Sequence, residues 1–170
     1  MRYERAVAAV DERPLDGESP QDYVRRVALA KAQVVRERHP DADVLGADTT
    51  VVIGSRILGK PSDQADAIDM LLSLAGRTHE VLSGVALIGD ESDYRLSTSR
   101  VTFRALNETE ALAYWHTGEP IDKAGAYAIQ GLGAAFVERI EGSYSGIMGL
   151  PLFETLSLLR RIGVPGGIAV

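Results

Sequence analysis

The chain has 170 residues and no cysteine, which fits one domain able to bury a core and excludes disulfides, zinc-thiolate centres and cysteine nucleophiles. Apolar residues make up 45% and charged residues 25%, an ordinary globular composition without low-complexity tracts. The net charge of -6 argues against non-specific nucleic-acid binding, no apolar run approaches the ~18 residues of a membrane span, and Met1-Arg2-Tyr3-Glu4-Arg5 leads into no signal-peptide core, so we expect no nucleic-acid partner, no membrane and a cytoplasmic location.

In chain order, residues 3–10 read as a short strand, which Asp11-Glu12-Arg13-Pro14 ends with two acids on a loop. Ser19-Pro20-Gln21-Asp22 carries a helix start: a Ser cap, Pro at the first helical position and an acid three residues after the cap. Tyr23, Val27, Ala30 and Val34 recur at helical spacing and predict an amphipathic helix to about Arg38. Lys31 lies on it among Ala28, Leu29, Ala30 and Ala32, small neighbours that would let a ligand come close; local sequence alone favours a snorkelling surface lysine.

Val44 to Ile53 reads as a buried strand holding one carboxylate, Asp48, between Ala47 and Thr49. Burying such an acid costs several kcal/mol unless it is hydrogen-bonded, paired or bound to a cation, which makes Asp48 the leading functional candidate. Gly54-Ser55-Arg56 turns the chain back through Ile57-Leu58 to Gly59-Lys60-Pro61. Ser62 or Asp63 then caps a helix whose apolar face is Ala67, Met70, Leu71 and Leu74, stopped by Gly76.

Val81 to Ile88 and Leu96 to Phe103 read as an antiparallel strand pair about the polar turn Gly89-Asp90-Glu91-Ser92-Asp93. Asn107 starts a helix with Glu110 in a capping-box position, and Trp115 near its end reads as packing. The stretch from Gly118 to Gly131 is poor helix and poor strand, and suits a loop wrapped round a ligand. Within it the Gln130 amide could read a base edge or satisfy loop backbone. Phe136 to Ile140 is a strand, Gly142 to Pro151 a second glycine-rich loop able to cradle phosphate or base, and Pro151 opens a helix with the face Leu152, Leu156, Leu159 and Ile162. One domain over residues 1–163 and a tail over 164–170 are expected.

The candidate set is Glu12, Lys31, Asp48, Lys60, Asp122, Lys123 and Gln130, with no nucleophilic triad; His39, His79 and His116 are scattered, and His79 reads as structural. Carboxylates suit hard cations such as Mg2+ or Mn2+, and lysines suit phosphate oxygens. Hydrolysis of a phosphoanhydride is the economical chemistry, since it needs a metal, cations to position phosphates and a base for water.

Lys31-Ala32, Leu45-Gly46-Ala47-Asp48-Thr49, Leu58-Gly59-Lys60-Pro61, Gly76-Arg77-Thr78-His79-Glu80-Val81, Asp122-Lys123-Ala124-Gly125-Ala126-Tyr127, Ile129-Gln130-Gly131 and Gly142-Ser143-Tyr144 with Gly149-Leu150-Pro151 together resemble the Maf family of nucleotide pyrophosphatases, in order and spacing, to about Gly163. The resemblance implies an α/β fold with an elongated twisted mixed sheet flanked by helices, two lobes and a central cleft. It implies hydrolysis of nucleoside triphosphates to the monophosphate and pyrophosphate, with Mg2+ or Mn2+ as cofactor. By the same resemblance Asp48 is the proton acceptor, Thr49 and Gln130 stand at base-selecting positions, and Glu12, Lys31 and Lys60 at positions contacting metal or phosphates, the metal falling to Glu12 and Asp48. Thr after the key Asp, and DKAGAY followed by IQG, resemble the branch acting on dTTP and UTP. A homodimer is a family expectation.

Family members begin with a strand and a Ser-x-Ser-Pro-Arg-Arg loop that helps hold the triphosphate, whereas this sequence starts just before the family's Asp-Glu turn, here Asp11-Glu12. A genuine start at Met1 would predict an unpaired sheet position and a weaker phosphate clamp. The alternative reading is then a non-catalytic nucleotide-binding or regulatory protein linked to septum formation. A purine-directed relative of the inosine triphosphate pyrophosphatases ranks third.

Overall fold

The computed structural model describes residues 3–164, and its first regular element is a long helix, α1 (Pro20–Arg38). Ser19 caps it by accepting from the Asp22 amide, and Pro20 sits in the first turn, where a missing N–H leaves no bond unmade. The helix buries Tyr23, Val24, Val27, Ala28 and Ala32. Of the expected face, Ala30 and Val34 are only half-buried, because the stripe against the sheet is rotated toward Val24 and Ala28. Residues 3–10 form no strand: they gain no ladder partner and run along the surface, where the Arg38 guanidinium donates to the Val7 carbonyl at 2.7 Å.

The remaining elements are β1 (Val44–Ile53), β2 (Arg56–Leu58), α2 (Gln64–Leu74), β3 (Thr78–Ile88), β4 (Ser92–Phe103), α3 (Glu108–Trp115), β5 (Val137–Glu141), the single turn α4 (Tyr144–Ile147) and α5 (Leu152–Arg161). Asp63 caps α2, and Asn107 with Glu110 makes the reciprocal capping box of α3. The strands form one sheet in the order β2-β1-β3-β4-β5. The expected α/β arrangement of a sheet flanked by helices is present, but where a mixed sheet was expected every pairing among the described residues is antiparallel. β3 and β4 begin earlier than the apolar runs suggest, since Thr78-Thr102 and Ala86-Tyr94 pairs extend the ladder into polar sequence.

The largest core cluster lies where α2 and α3 meet the sheet, around Leu71, Leu74, Val101 and Phe103. Smaller ones lie under α1, with Val24, Val27 and Leu82, and under α5, with Val85, Leu87 and Leu158. α1 rests directly on β1, because a Cβ on Gly46 would fall 2.5 Å from the Ala28 carbonyl oxygen and 2.7 Å from the Ala32 nitrogen. The core-facing residues of α5 are Thr155 and Leu158. The expected face is corrected: Leu152, Leu156 and Ile162 are exposed, because Leu158 is the side chain that fits between Val85 and Leu87. Gly163, at φ +77°, ends the helix with a Val164 N–H bond to the Leu159 carbonyl; the rest of the expected tail, residues 165–170, lies outside the described residues.

One consequence of the topology positions the site. β1 pairs with β3 from Val44 to Val52, but β2 covers only Val51 to Ile53 of its other edge. From Val44 to Thr50 that outer edge has no strand beside it among the described residues.

Candidate active site

A cavity of about 290 Å³ lies along this part of β1. Glu12, Lys31, Asp48, Thr49, Lys60 and Gln130 all line it, as do Asp122 and Lys123. Strand alternation turns neighbouring side chains to opposite faces, so Asp48 points toward α1 while Thr49 points toward the turn α4. A site at a free strand edge can use both.

On the α1 side, Lys31 donates from Nζ to Asp48 Oδ1 at 2.7 Å and pairs with Glu12 Oε1, also at 2.7 Å. Lys60 approaches from the chain after β2, with Nζ 3.7 Å from Glu12 Oε2. Two carboxylates and two ammonium groups thus converge from four separate segments. Tyr23 holds the loop carrying Glu12 by donating its hydroxyl to the Glu12 carbonyl at 2.9 Å.

Burial dominates at Asp48, which is 8% exposed; it pushes the carboxyl pKa up despite the hydrogen bond from Lys31. At Lys31 burial works against the charge, but hydrogen bonds to Asp48 and Glu12 outweigh it and raise the ammonium pKa. At Glu12 partial burial is likewise outweighed by Lys31, and the pKa falls. Lys31 therefore stays charged and Glu12 ionised at neutral pH, beside an aspartate more basic than usual.

Asp48 Oδ2 is buried and has no hydrogen-bond partner. A carboxylate oxygen in that condition has an unmet demand that a cation or an ordered water satisfies. The donor set, two carboxylates with no sulfur or imidazole, suits a hard cation that completes its shell with water and phosphate oxygens. In donor chemistry Glu12 and Asp48 therefore fit a divalent metal; no group of three acidic or imidazole ligands occurs among the described residues.

The facing wall is the 118–131 loop. Gly125, at φ +69°, donates its N–H to the Gly59 carbonyl at 3.0 Å and packs so closely on Val51 that a Cβ would meet it at 3.0 Å. Glu119 braces the loop's far end by accepting from the Leu132 and Gly133 amides at 2.9 and 3.0 Å. Tyr127 lines the cleft and bonds through its hydroxyl to His79 Nε2 at 2.9 Å. His79 is 2% exposed, in edge contact with Phe103 and Tyr127, and burial pulls its pKa down to about 4. It is a neutral strut, as its sequence context suggests.

On the α4 side, Thr49 Oγ1 lies 2.7 Å from Ser83 Oγ, which donates to the Gly146 carbonyl at 2.6 Å. Gly149 passes over Thr49, with space for a Cβ 3.8 Å from Oγ1.

A family profile described as "Maf-like protein" matches residues 1–162. The chain belongs to the Maf family. Among curated relatives, the dTTP/UTP pyrophosphatase of Myxococcus xanthus (strain DK1622) is 52% identical over 165 residues, covering 97% of this chain and 84% of that one. The dTTP/UTP pyrophosphatase of Cupriavidus pinatubonensis (strain JMP 134 / LMG 1197) is 57% identical over 151 residues, 85% and 76% of the two chains. That of Alkalilimnicola ehrlichii (strain ATCC BAA-1101 / DSM 17681 / MLHE-1) is 53% identical over 161 residues, 91% and 80%.

In this Maf chain all the residues singled out from sequence meet at one cleft, although Lys31 alone read as a surface lysine. Tyr127 and Gly149 lie in the two loops expected to surround a ligand, whereas Tyr23, read only as helix face, and Ser83 escaped sequence reading as site residues. Tyr23 looks like an ordinary core aromatic, and Ser83 sits in an apolar strand where only the strand register reveals Thr49 beside it.

Proposed function

We propose that this cleft hydrolyses dTTP and UTP to the nucleoside monophosphate and pyrophosphate, and that the chain is a nucleotide diphosphatase. The observation that carries the reading is the buried Asp48, held by Lys31 beside Glu12 and Lys60 in one cleft. Relatives more than 50% identical that are named dTTP/UTP pyrophosphatases supply the substrate class.

Water's oxygen joins phosphorus, the anhydride bond between the α- and β-phosphoryl groups breaks, and pyrophosphate leaves with the bond's electron pair. Asp48, its basicity raised by burial, takes the water's proton. Lys31 orients Asp48, and with Lys60 it offers positive charge to the phosphate oxygens. Glu12 and Asp48 would hold a divalent cation, Mg2+ or Mn2+, which would offset phosphate charge and acidify water. Thr49 and Gln130 face the base. The enzyme is cytoplasmic in this reading and forms a homodimer, supported by the exposed Leu152, Phe153 and Leu156 of α5 and testable by sedimentation.

The test is product analysis with dTTP, UTP, CTP and GTP in the presence of Mg2+ or Mn2+. The reading predicts pyrophosphate from dTTP and UTP, lost with a chelator and restored by either ion. Release of orthophosphate instead, or nucleotide binding without turnover, would overturn it.

A further inference from the structure

We propose that Ser83 fixes the polarity of the Thr49 hydroxyl, so that the cleft presents an obligate hydrogen-bond acceptor to the N3–H of uracil or thymine. The proposal rests on the pyrimidine nucleotide reading of the cleft and assigns the residue that enforces its base choice.

Thr49 and Ser83 are directly opposite each other on β1 and β3, with their hydroxyls 2.7 Å apart. Ser83 is 1% exposed, and its Oγ lies 2.6 Å from the Gly146 carbonyl oxygen. A carbonyl oxygen can only accept, and a serine hydroxyl has one proton, so Ser83 spends that proton on Gly146. In the Thr49–Ser83 bond the proton must then come from Thr49. What remains on Thr49 Oγ1 is lone pairs, and Thr49 lines the cleft.

Gly146 is itself held. Its N–H donates to Ser143 Oγ at 3.0 Å, and a Cβ on it would meet Ser97 Oγ at 3.1 Å. The carbonyl therefore has little room to swing away and release the Ser83 proton. Gly149 leaves the Thr49 oxygen unobstructed by a side chain.

Uracil and thymine carry a donor at N3, and cytosine carries an acceptor there. A freely rotating threonine hydroxyl serves either ring by turning its proton. With that proton committed to Ser83, the hydroxyl pairs with the imide N–H and sets lone pair against lone pair with cytosine. A site that leaves a polar atom unpaired against the wrong ligand discriminates more strongly than one that only loses a contact. The alternation of β1 makes the division of labour economical: Asp48 addresses the phosphates on one face, and the next residue reads the base on the other.

The test titrates UMP, 3-methyl-UMP and CMP into the unmodified chain, Ser83→Ala, Thr49→Val and the double variant by calorimetry, with pyrophosphate release from UTP measured on the unmodified chain in parallel. Expected results are a preference of roughly tenfold or more for UMP over CMP, about 1.4 kcal/mol per tenfold, and 3-methyl-UMP binding no better than CMP. Ser83→Ala should remove most of the UMP-to-CMP ratio, and the same substitution in the Thr49→Val background should change the ratio no further. A purely structural effect of Ser83 on the Gly146 loop would lower the ratio equally in both backgrounds, which overturns the proposal. An unchanged ratio in Ser83→Ala, or no uridine preference in the unmodified chain, overturns it as well. Absence of pyrophosphate release with the binding pattern intact would instead refute the hydrolase reading and leave the polarity assignment standing.

Discussion

Lowering the pH from 6.5 to 4 should unload a defined part of the fold's stability through one residue, His79. In the folded chain burial holds its pKa at about 4, against an ordinary 6.5. Between those values the unfolded chain binds a proton at His79 and the folded chain does not, so stability rises with pH there. The contribution is complete above pH 6.5, falls as pH drops toward 4, and levels off below. At ~1.4 kcal/mol per pH unit, the interval is worth about 3 kcal/mol. Urea unfolding at half-unit steps from pH 4 to 8 measures it, with His79→Gln as the reference that removes this titration while leaving the carboxylates in place. The difference between the two stability curves should narrow by about 3 kcal/mol from pH 6.5 to 4. Parallel curves would show that His79 is solvated or protonated in the fold and would refute the placement of a neutral strut against Phe103 and Tyr127.

Other substitutions test separate links. Gly46→Val should destabilise by about 3 kcal/mol through overpacking, because even a Cβ there meets the Ala28 and Ala32 backbone; thermal unfolding near wild type would mean that α1 does not rest on β1. Asn107→Ala removes the capping box of α3 and should cost about 1 kcal/mol, read as a fall in melting temperature of roughly 2–4 °C. Lys60→Met should raise KM for UTP about tenfold with little change in folding, since its ammonium is largely exposed and pairs only loosely with Glu12; an unchanged KM would remove Lys60 from phosphate binding.

The parts legible in sequence were those with local chemistry. Ser19-Pro20, the Ser62-Asp63 pair and Asn107 announced three helices through their caps, Asp63 being the residue that caps α2, and the α2 face from Ala67 to Leu74 was recovered whole. The α5 face was misread for a physical reason: Leu152, Leu156 and Ile162 form the better apolar stripe, yet the sheet accepts Thr155 and Leu158. Periodicity reports which side chains are apolar, and packing decides which of them fit. Residues 3–10 have strand-like composition, but a strand needs a neighbour, which composition cannot supply. Among the candidate site residues Asp48 stood out as an oddity, a carboxylate inside an apolar strand, whereas Lys31 read locally as a surface lysine. What joined them was invisible: Lys31 meets Asp48 across 17 positions and Thr49 meets Ser83 across 34.

The central claim is that Asp48 is the proton acceptor of a nucleotide pyrophosphatase, and the direct measurement is kcat for pyrophosphate release from UTP by Asp48→Asn beside the unmodified chain, with far-ultraviolet circular dichroism confirming the fold of both. The account predicts that turnover falls by about 10²-fold or more while the spectra coincide; undiminished turnover by a folded Asp48→Asn chain would contradict it.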